Sequence, residues 1–177
     1  MHSLGSSGQA FFAMILTGVL CGCSPRAERS EEAKSNPNPA PGTIYDTKAD
    51  GEKQISDALR IASRENKRVL LKFGANWCVW CHKLHKVFKD DARVAAKLRD
   101  SYELVLIDVD VVDGMPHNEK VDEKYGKPTQ NGLPVLIVLD AQGKVLTTRS
   151  TEAFEAGEQH DPAKVFAFLD QWAPPRT

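Results

Sequence analysis

The stretch RVLLKFGANWCVWCH, residues 68–82, runs from a short apolar segment through a glycine into two cysteines two residues apart, with a histidine directly behind them. Cysteines at that spacing form a redox pair or half of a zinc site, and with the following histidine they also match the pattern that anchors a covalent haem. The letters WCVWCH do not choose among these. Their surroundings have to.

Arg68 to Phe73 is short, apolar and closed by Gly74, which predicts a buried strand. Cys78 to about Phe88 reads as a helix, with a break near Lys89-Asp90-Asp91 and further helical turns to Leu98. Cys78 therefore sits where a strand hands over to the first turn of a helix, and a helix amino-terminal dipole favours the thiolate that acts in disulfide exchange. Cys81, three residues on, shares its helical face at a separation that permits a disulfide. Cys81 is also one turn deeper, so Cys78 is expected to be the attacking thiol and Cys81 the resolving one.

The remaining elements follow from periodicity. Gly51 to Lys67 places Ile55, Leu59 and Ala62 on one face, an amphipathic helix. Tyr102 to Val109 is almost continuously apolar, as in a strand covered on both faces. Val121 to Tyr125 predicts a short helix, and Val135 to Leu139 with Lys144 to Thr148 flank the turn Ala141-Gln142-Gly143 as a hairpin. Asp161-Pro162 supplies a cap and a first-position proline for a helix through Trp172 that buries Val165, Phe166, Leu169 and Trp172. Alternating elements of this kind build an α/β sheet between helices.

At this point the chain resembles the thioredoxin superfamily. The matching pieces, in family order, are Val69 to Cys81, then Leu106-Ile107-Asp108-Val109-Asp110, Lys124-Tyr125-Gly126, and Gly132-Leu133-Pro134-Val135 before an apolar strand and a glycine turn. The resemblance implies a thioredoxin-like fold, a central mixed β-sheet with helices on both faces. It implies thiol-disulfide exchange by Cys78 and Cys81, with Pro134 as the family's cis proline and the Leu133 backbone pairing with bound substrate in strand fashion. Trp77, Trp80, Leu133 and Pro134 would form the docking surface, the substrates would be cysteine-bearing segments of proteins, and no dissociable cofactor is expected.

Two departures from the family pattern stand out. Many thioredoxins carry a buried acid in the strand before the motif, where this chain has Lys72. Either Lys72 lies under the cysteine pair and favours its thiolate, with Asp108 on the next strand as its partner, or it snorkels to the surface from a strand end. The dipeptide Val79-Trp80 also lacks the proline common in reducing thioredoxins, which leaves the direction of electron flow open. The segment from Asp110 to Gly132 is longer than in a minimal thioredoxin and reads as a solvated loop, with Asp113, His117, Asn118 and Glu119 as candidates for a partner surface. Phe154 to His160 reads as a polar loop at the rim of the site.

Three rival readings fit the motif alone. A covalent haem would need His82 plus a distant axial ligand and a pocket in place of packed helix faces. Metal handling, copper above all, would use Cys78, Cys81, His82 and His85, but a second well-spaced ligand pair is missing, so no metal site is assigned. A redox-inactive adaptor would keep the cysteines as a static staple.

The flanks bound where the domain works. Ala10 to Leu20 is an apolar run of signal-core length, ending in Leu20-Cys21-Gly22-Cys23, which resembles the lipobox of bacterial lipoproteins. Residues 1–22 then read as a lipoprotein signal peptide and Cys23 as the lipidated residue, although no Lys or Arg precedes Ala10; a plain secretory signal or an uncleaved anchor are the alternatives. Residues 23–43 are a polar linker with Pro25, Pro37, Pro39 and Pro41, residues 44–174 the domain and 175–177 a tail. The expectation is a bacterial envelope protein, anchored through its lipid and facing the periplasm, that acts on exported proteins and exchanges electrons with a membrane partner. With 23 Lys and Arg against 24 Asp and Glu, nothing electrostatic points to nucleic acid.

Overall fold

A computed structural model describes residues 42–112 and 114–175. Residues 1–41, which carry the expected signal peptide, Cys23 and nearly all of the linker, lie outside the described residues, as do Asp113 and the last two residues of the tail. In chain order the elements are α1 (Gly51–Glu65), β1 (Arg68–Gly74), α2 (Val79–Asp90), α3 (Ala92–Ser101), β2 (Tyr102–Asp108), β3 (Val111–Val112), β4 (Met115–Pro116), α4 (Glu119–Lys124), β5 (Val135–Leu139), β6 (Val145–Ser150), β7 (Glu155–Ala156), β8 (Gln159–His160) and α5 (Pro162–Trp172). Among the described residues, no helix is long and apolar enough to cross a membrane.

The main sheet has the order β2-β1-β5-β6. β1 and β2 run parallel, while β5 is antiparallel to both β1 and β6. Both faces are covered, which is why β5 reads as an unbroken apolar run and β1 as an apolar run interrupted by Lys72 alone between Val69 and Phe73. On one face Leu70, Leu136 and Val138 pack with Leu84, Phe88, Val94, Leu98, Phe168 and Leu169 from α2, α3 and α5. On the other, Val69, Leu71, Phe73 and Ile137 pack with Ile55, Ala58 and Ala62 of α1 and Val121 of α4. The mixed sheet with helices on both faces is the one the sequence predicted.

Alternation along β1 has a consequence for the site. Leu70, Lys72 and Gly74 share the face that α2 covers, so a lysine in the middle of that strand is committed to the interior beneath the helix. Helix ends are set by single residues: Asp91 ends α2, and its carboxylate accepts from the backbone N–H groups of Arg93 and Val94 to start α3. Asp161 caps α5 in the same way through the N–H of Ala163.

Three details differ from the sequence expectation. In α5 it is Phe168, not Phe166, that is buried with Val165 and Leu169; Phe166 is half-buried and lies under the side chains of Arg93 and Lys97 on α3. The segment after β2 is not a plain solvated loop, since it folds as the β3–β4 hairpin, and Asn118 turns inward to accept from Gly51 N–H and donate to the Asp108 carbonyl. Phe154 to His160 likewise closes as the β7–β8 ladder with Phe154 and His160 buried.

Candidate functional site

The sharp turn Ala75-Asn76-Trp77 carries the chain from the end of β1 into α2, and Cys78 is the residue that caps this helix. Cys78 and Cys81 are joined by a disulfide with their Cα atoms 5.2 Å apart. Cys78 Sγ also accepts from the backbone N–H of Cys81 at 3.1 Å. That N–H is one of the unpaired donors of the helix start, so the same geometry that caps the helix would stabilise a Cys78 thiolate once the disulfide opens. Cys81 is wholly buried and Cys78 nearly so, with Cys78 the nearer to solvent.

Around the pair, Trp77 is 66% exposed and its indole N–H donates to Asp110 at 2.8 Å, which holds the ring at the surface. Val111, the next residue, and Met115 across the hairpin are exposed as well. Trp80 is half-buried, set edge-on to His160 at 5.1 Å between ring centres, with the Lys83 ammonium 4.2 Å from its ring centre. Leu133 packs partly buried against the cluster of Cys78 and Cys81, and the Leu133–Pro134 peptide bond is cis. Thr151 fixes that turn by donating to the Pro134 carbonyl at 2.8 Å. Two parts of the chain thus meet at the cysteine pair: Trp77 and Trp80 from the motif itself, and Leu133 with the buried Pro134 from the cis-proline turn.

Lys72 is fully buried, so it does not snorkel to the surface from the strand end. Its ammonium nitrogen donates to the Cys81 carbonyl at 3.0 Å and lies 5.0 Å from the centre of the Tyr45 ring. Burial pushes the Lys72 amine down to about 7. Asp108 is not its partner. Along the parallel pair Lys72 stands opposite Leu106, whereas Asp108 stands opposite Gly74, and its carboxylate pairs with His117 Nδ1 at 2.9 Å. Burial raises the Asp108 carboxyl above the usual range, against the pull of His117.

The two histidines on α2 behind the pair differ: His82 is hydrogen-bonded, and His85 Nδ1 is buried without a partner among the described residues. His82 Nε2 lies 2.7 Å from the Asn76 carbonyl, which a ring N–H satisfies. His85 is held down to about 4 by burial first and by Lys72 next, so it is neutral at ordinary pH. Among the described residues no group of three His, Cys, Asp or Glu side chains is disposed to hold a metal.

Several residues at the site had no signal in the sequence. Asn76 is one: its side-chain oxygen accepts from the backbone N–H groups of Ile44 and Tyr45 at 2.9 Å each, and its amide donates to the Tyr45 carbonyl at 2.9 Å. These bonds clamp the segment before α1 against the motif and place the Tyr45 ring beside Cys78 and Cys81. His160, buried against Trp80, is another.

Comparison with known proteins agrees with this geometry. A family model described as thioredoxin-like matches residues 50–141. The chain is 31% identical over 105 residues to the thiol:disulfide interchange protein DsbD of Ralstonia nicotianae, and 33% identical over 101 residues to that of Colwellia psychrerythraea. These matches cover 59% and 57% of this chain but only 16% of either relative. Among solved structures, a disulphide isomerase from Xylella fastidiosa Temecula1 is 31% identical and superposes with a TM-score of 0.64, over 73% of this chain and 95% of that one. A disulfide that caps a helix after a buried strand, a cis proline turn beside it and a family match over half the chain lead to one conclusion: the chain belongs to the thioredoxin-like family.

Proposed function

We propose that this chain is a thiol-disulfide oxidoreductase that exchanges disulfides with cysteine-bearing exported proteins through Cys78 and Cys81. The observation that carries this reading is the Cys78–Cys81 disulfide at the first turn of α2, with Cys78 Sγ held on a helix N–H and an apolar rim around it. In the reductive direction the Cys78 thiolate attacks a substrate disulfide, forming a mixed disulfide and releasing one substrate sulfur as thiolate. Cys81, as thiolate, then attacks Cys78 Sγ; the second substrate sulfur leaves, and this chain has lost two electrons to the substrate. In the other direction the oxidised pair passes its disulfide to a substrate dithiol and gains the two electrons. No dissociable cofactor takes part.

Trp77, Trp80 and Leu133 are the docking surface in this scheme, shaped from beneath by the buried Pro134, with the exposed Val111 and Met115 extending it along the hairpin. Lys72 sits where its positive charge favours thiolate at the pair, while Asp108, engaged by His117, acts at one remove through its charge on Tyr45. The motif's strand and helix are packed faces without the pocket a haem would need, and the ring of His82 is already engaged. The apolar run and Leu20-Cys21-Gly22-Cys23 support an envelope location in which Cys23 carries a lipid, residues 1–22 are removed, and residues 23–43 tether the domain on the periplasmic side. Reduction in that oxidising compartment would draw electrons from a membrane-borne dithiol partner.

The test is trapping. Cys81→Ser, expressed with its own export signal, keeps the attacking thiol but removes the one that resolves the intermediate. Proteins disulfide-linked to Cys78 should then accumulate on non-reducing gels and vanish when Cys78→Ser is added. An exported Cys81→Ser chain with no adducts would contradict the exchange mechanism.

A further inference from the structure

We propose that the phenol of Tyr45 is the hydrogen-bond donor that receives the Cys81 thiolate each time the disulfide opens. The inference rests on the exchange reaction proposed above and adds a residue from outside the cysteine motif to it. Tyr45 lies 33 residues before Cys78 in the sequence, yet it is buried in one cluster with Cys78 and Cys81. Gly74 makes the approach possible. A Cβ there would collide with Tyr45 Oη and stand 2.7 Å from Cys81 Sγ, so the phenol oxygen and the inner sulfur both border the space that the missing side chain leaves.

The phenol has no hydrogen-bond partner among the described residues. A buried O–H without an acceptor is costly and calls for an explanation. Disulfide sulfur is a poor acceptor, whereas a thiolate is a strong one, so the missing partner is supplied by the reaction itself. When an incoming thiolate attacks Cys78 Sγ, a new S–S bond forms, the Cys78–Cys81 bond breaks, and its electron pair departs on Cys81 Sγ. Tyr45 keeps its proton and donates a hydrogen bond to that sulfur. In the reverse step the thiolate leaves the phenol and attacks Cys78. Burial, followed by the negative charge of Asp108, pushes the Tyr45 phenol far above its ordinary value, so it remains a donor throughout.

The charged groups that bear on this corner are Lys72 on β1, whose ammonium lies 5.0 Å from the Tyr45 ring centre, and Asp108 on β2, whose charge acts on the Tyr45 phenol and which is itself paired with His117; His85 on α2 and His160 on β8 feel the Lys72 charge in turn. Lys72 and Tyr45 both present donors that favour a negative Cys81, and Lys72 already donates to the Cys81 carbonyl. The Asn76 clamp on the Tyr45 backbone is the device that holds the phenol in place.

Tyr45→Phe keeps the ring and removes only the O–H. In a Cys78→Ser background, Tyr45→Phe should raise the Cys81 thiol pKa by about one unit, a tenfold loss of thiolate. In the otherwise unaltered chain it should slow reduction of the disulfide by dithiothreitol about threefold across roughly pH 6 to 9, because the leaving sulfur carries only part of its charge in the transition state. It should lower the thermal midpoint of the reduced protein while leaving that of the oxidised protein unchanged or higher, because only the reduced form uses the bond. Tyr102→Phe is the control: it removes a hydrogen bond to the Leu169 carbonyl, far from the cysteines in the packing of β2 against α5, and should lower both midpoints alike. An unmoved Cys81 titration with an unmoved reduction rate, or equal loss of stability in both redox forms, would overturn the proposal. Should the wild-type chain exchange with no protein substrate, the functional reading fails, while the Cys81 titration still reads the phenol.

Discussion

Cys78→Ser is expected to reduce disulfide exchange to background, a loss on the order of 10³-fold or more, because a serine hydroxyl is not ionised at neutral pH and cannot form the mixed disulfide. Cys81→Ser is expected to behave differently, retaining one round of attack and failing at release. The difference follows from position: Cys78 Sγ is the helix-capping sulfur nearer to solvent, and Cys81 Sγ faces inward toward Gly74 and Tyr45. Neither change should unfold the domain. The loop that the disulfide closes is short, so little chain entropy is restored by opening it. Stopped-flow kinetics with a disulfide peptide, comparing first-turnover and steady-state rates for the two variants, checks this; equal behaviour would contradict the assigned order of attack.

Lys72→Met carries the second large effect. A buried ammonium without a carboxylate partner is held down to about 7 by burial, while the same lysine in the unfolded chain keeps its proton to about pH 10. Between those values the unfolded state binds more protons, so the stability of the wild-type chain should rise with pH from about 7 to about 10, with the full penalty present below 7. Methionine has a similar length and no charge. The variant should therefore be more stable by about 2–4 kcal/mol at pH 6 and converge on the wild type near pH 10. The same change removes a cation from beneath the pair, so the Cys78 and Cys81 thiols should titrate higher and exchange should slow about tenfold at neutral pH. Urea unfolding at several pH values is the check. A wild-type stability profile as flat as that of the variant would show that Lys72 bears no buried charge, and unmoved thiol titrations would remove its electrostatic role.

Lys72 also shows where sequence reasoning stops. The fold was legible because β5 and most of β1 are apolar runs, because Asp161 marks a helix start and Lys89-Asp90-Asp91 a helix break by chemistry that acts locally, and because the glycine turn after Leu139 sets the hairpin. The cysteine pair was legible for the same reason, being a local cap on a local helix. Burial of a charge runs against the ordinary preference of lysine, so only the packed face could choose between interior and surface. Phe166 and Phe168 are two residues apart on a helix rich in apolar side chains, and the docking of α3 decides which one turns inward. β3, β4, β7 and β8 are two residues long and too short to carry a period. Tyr45 reaches the cysteines through the side chain of Asn76, a tertiary contact across 31 residues that no local pattern announces. Asp108 paired with His117, nine residues on, for a similar reason: the β3–β4 hairpin folds that histidine back onto the end of β2.

The central claim is that the Cys78–Cys81 bond is exchanged in use and is not a fixed staple. Equilibrating the purified domain with defined dithiol and disulfide buffers and measuring its reduced fraction gives the redox potential directly. A value above about −300 mV, within the range of exchange-active pairs, is expected, whereas a value below about −300 mV, typical of structural disulfides, would assign the bond to a fixed staple.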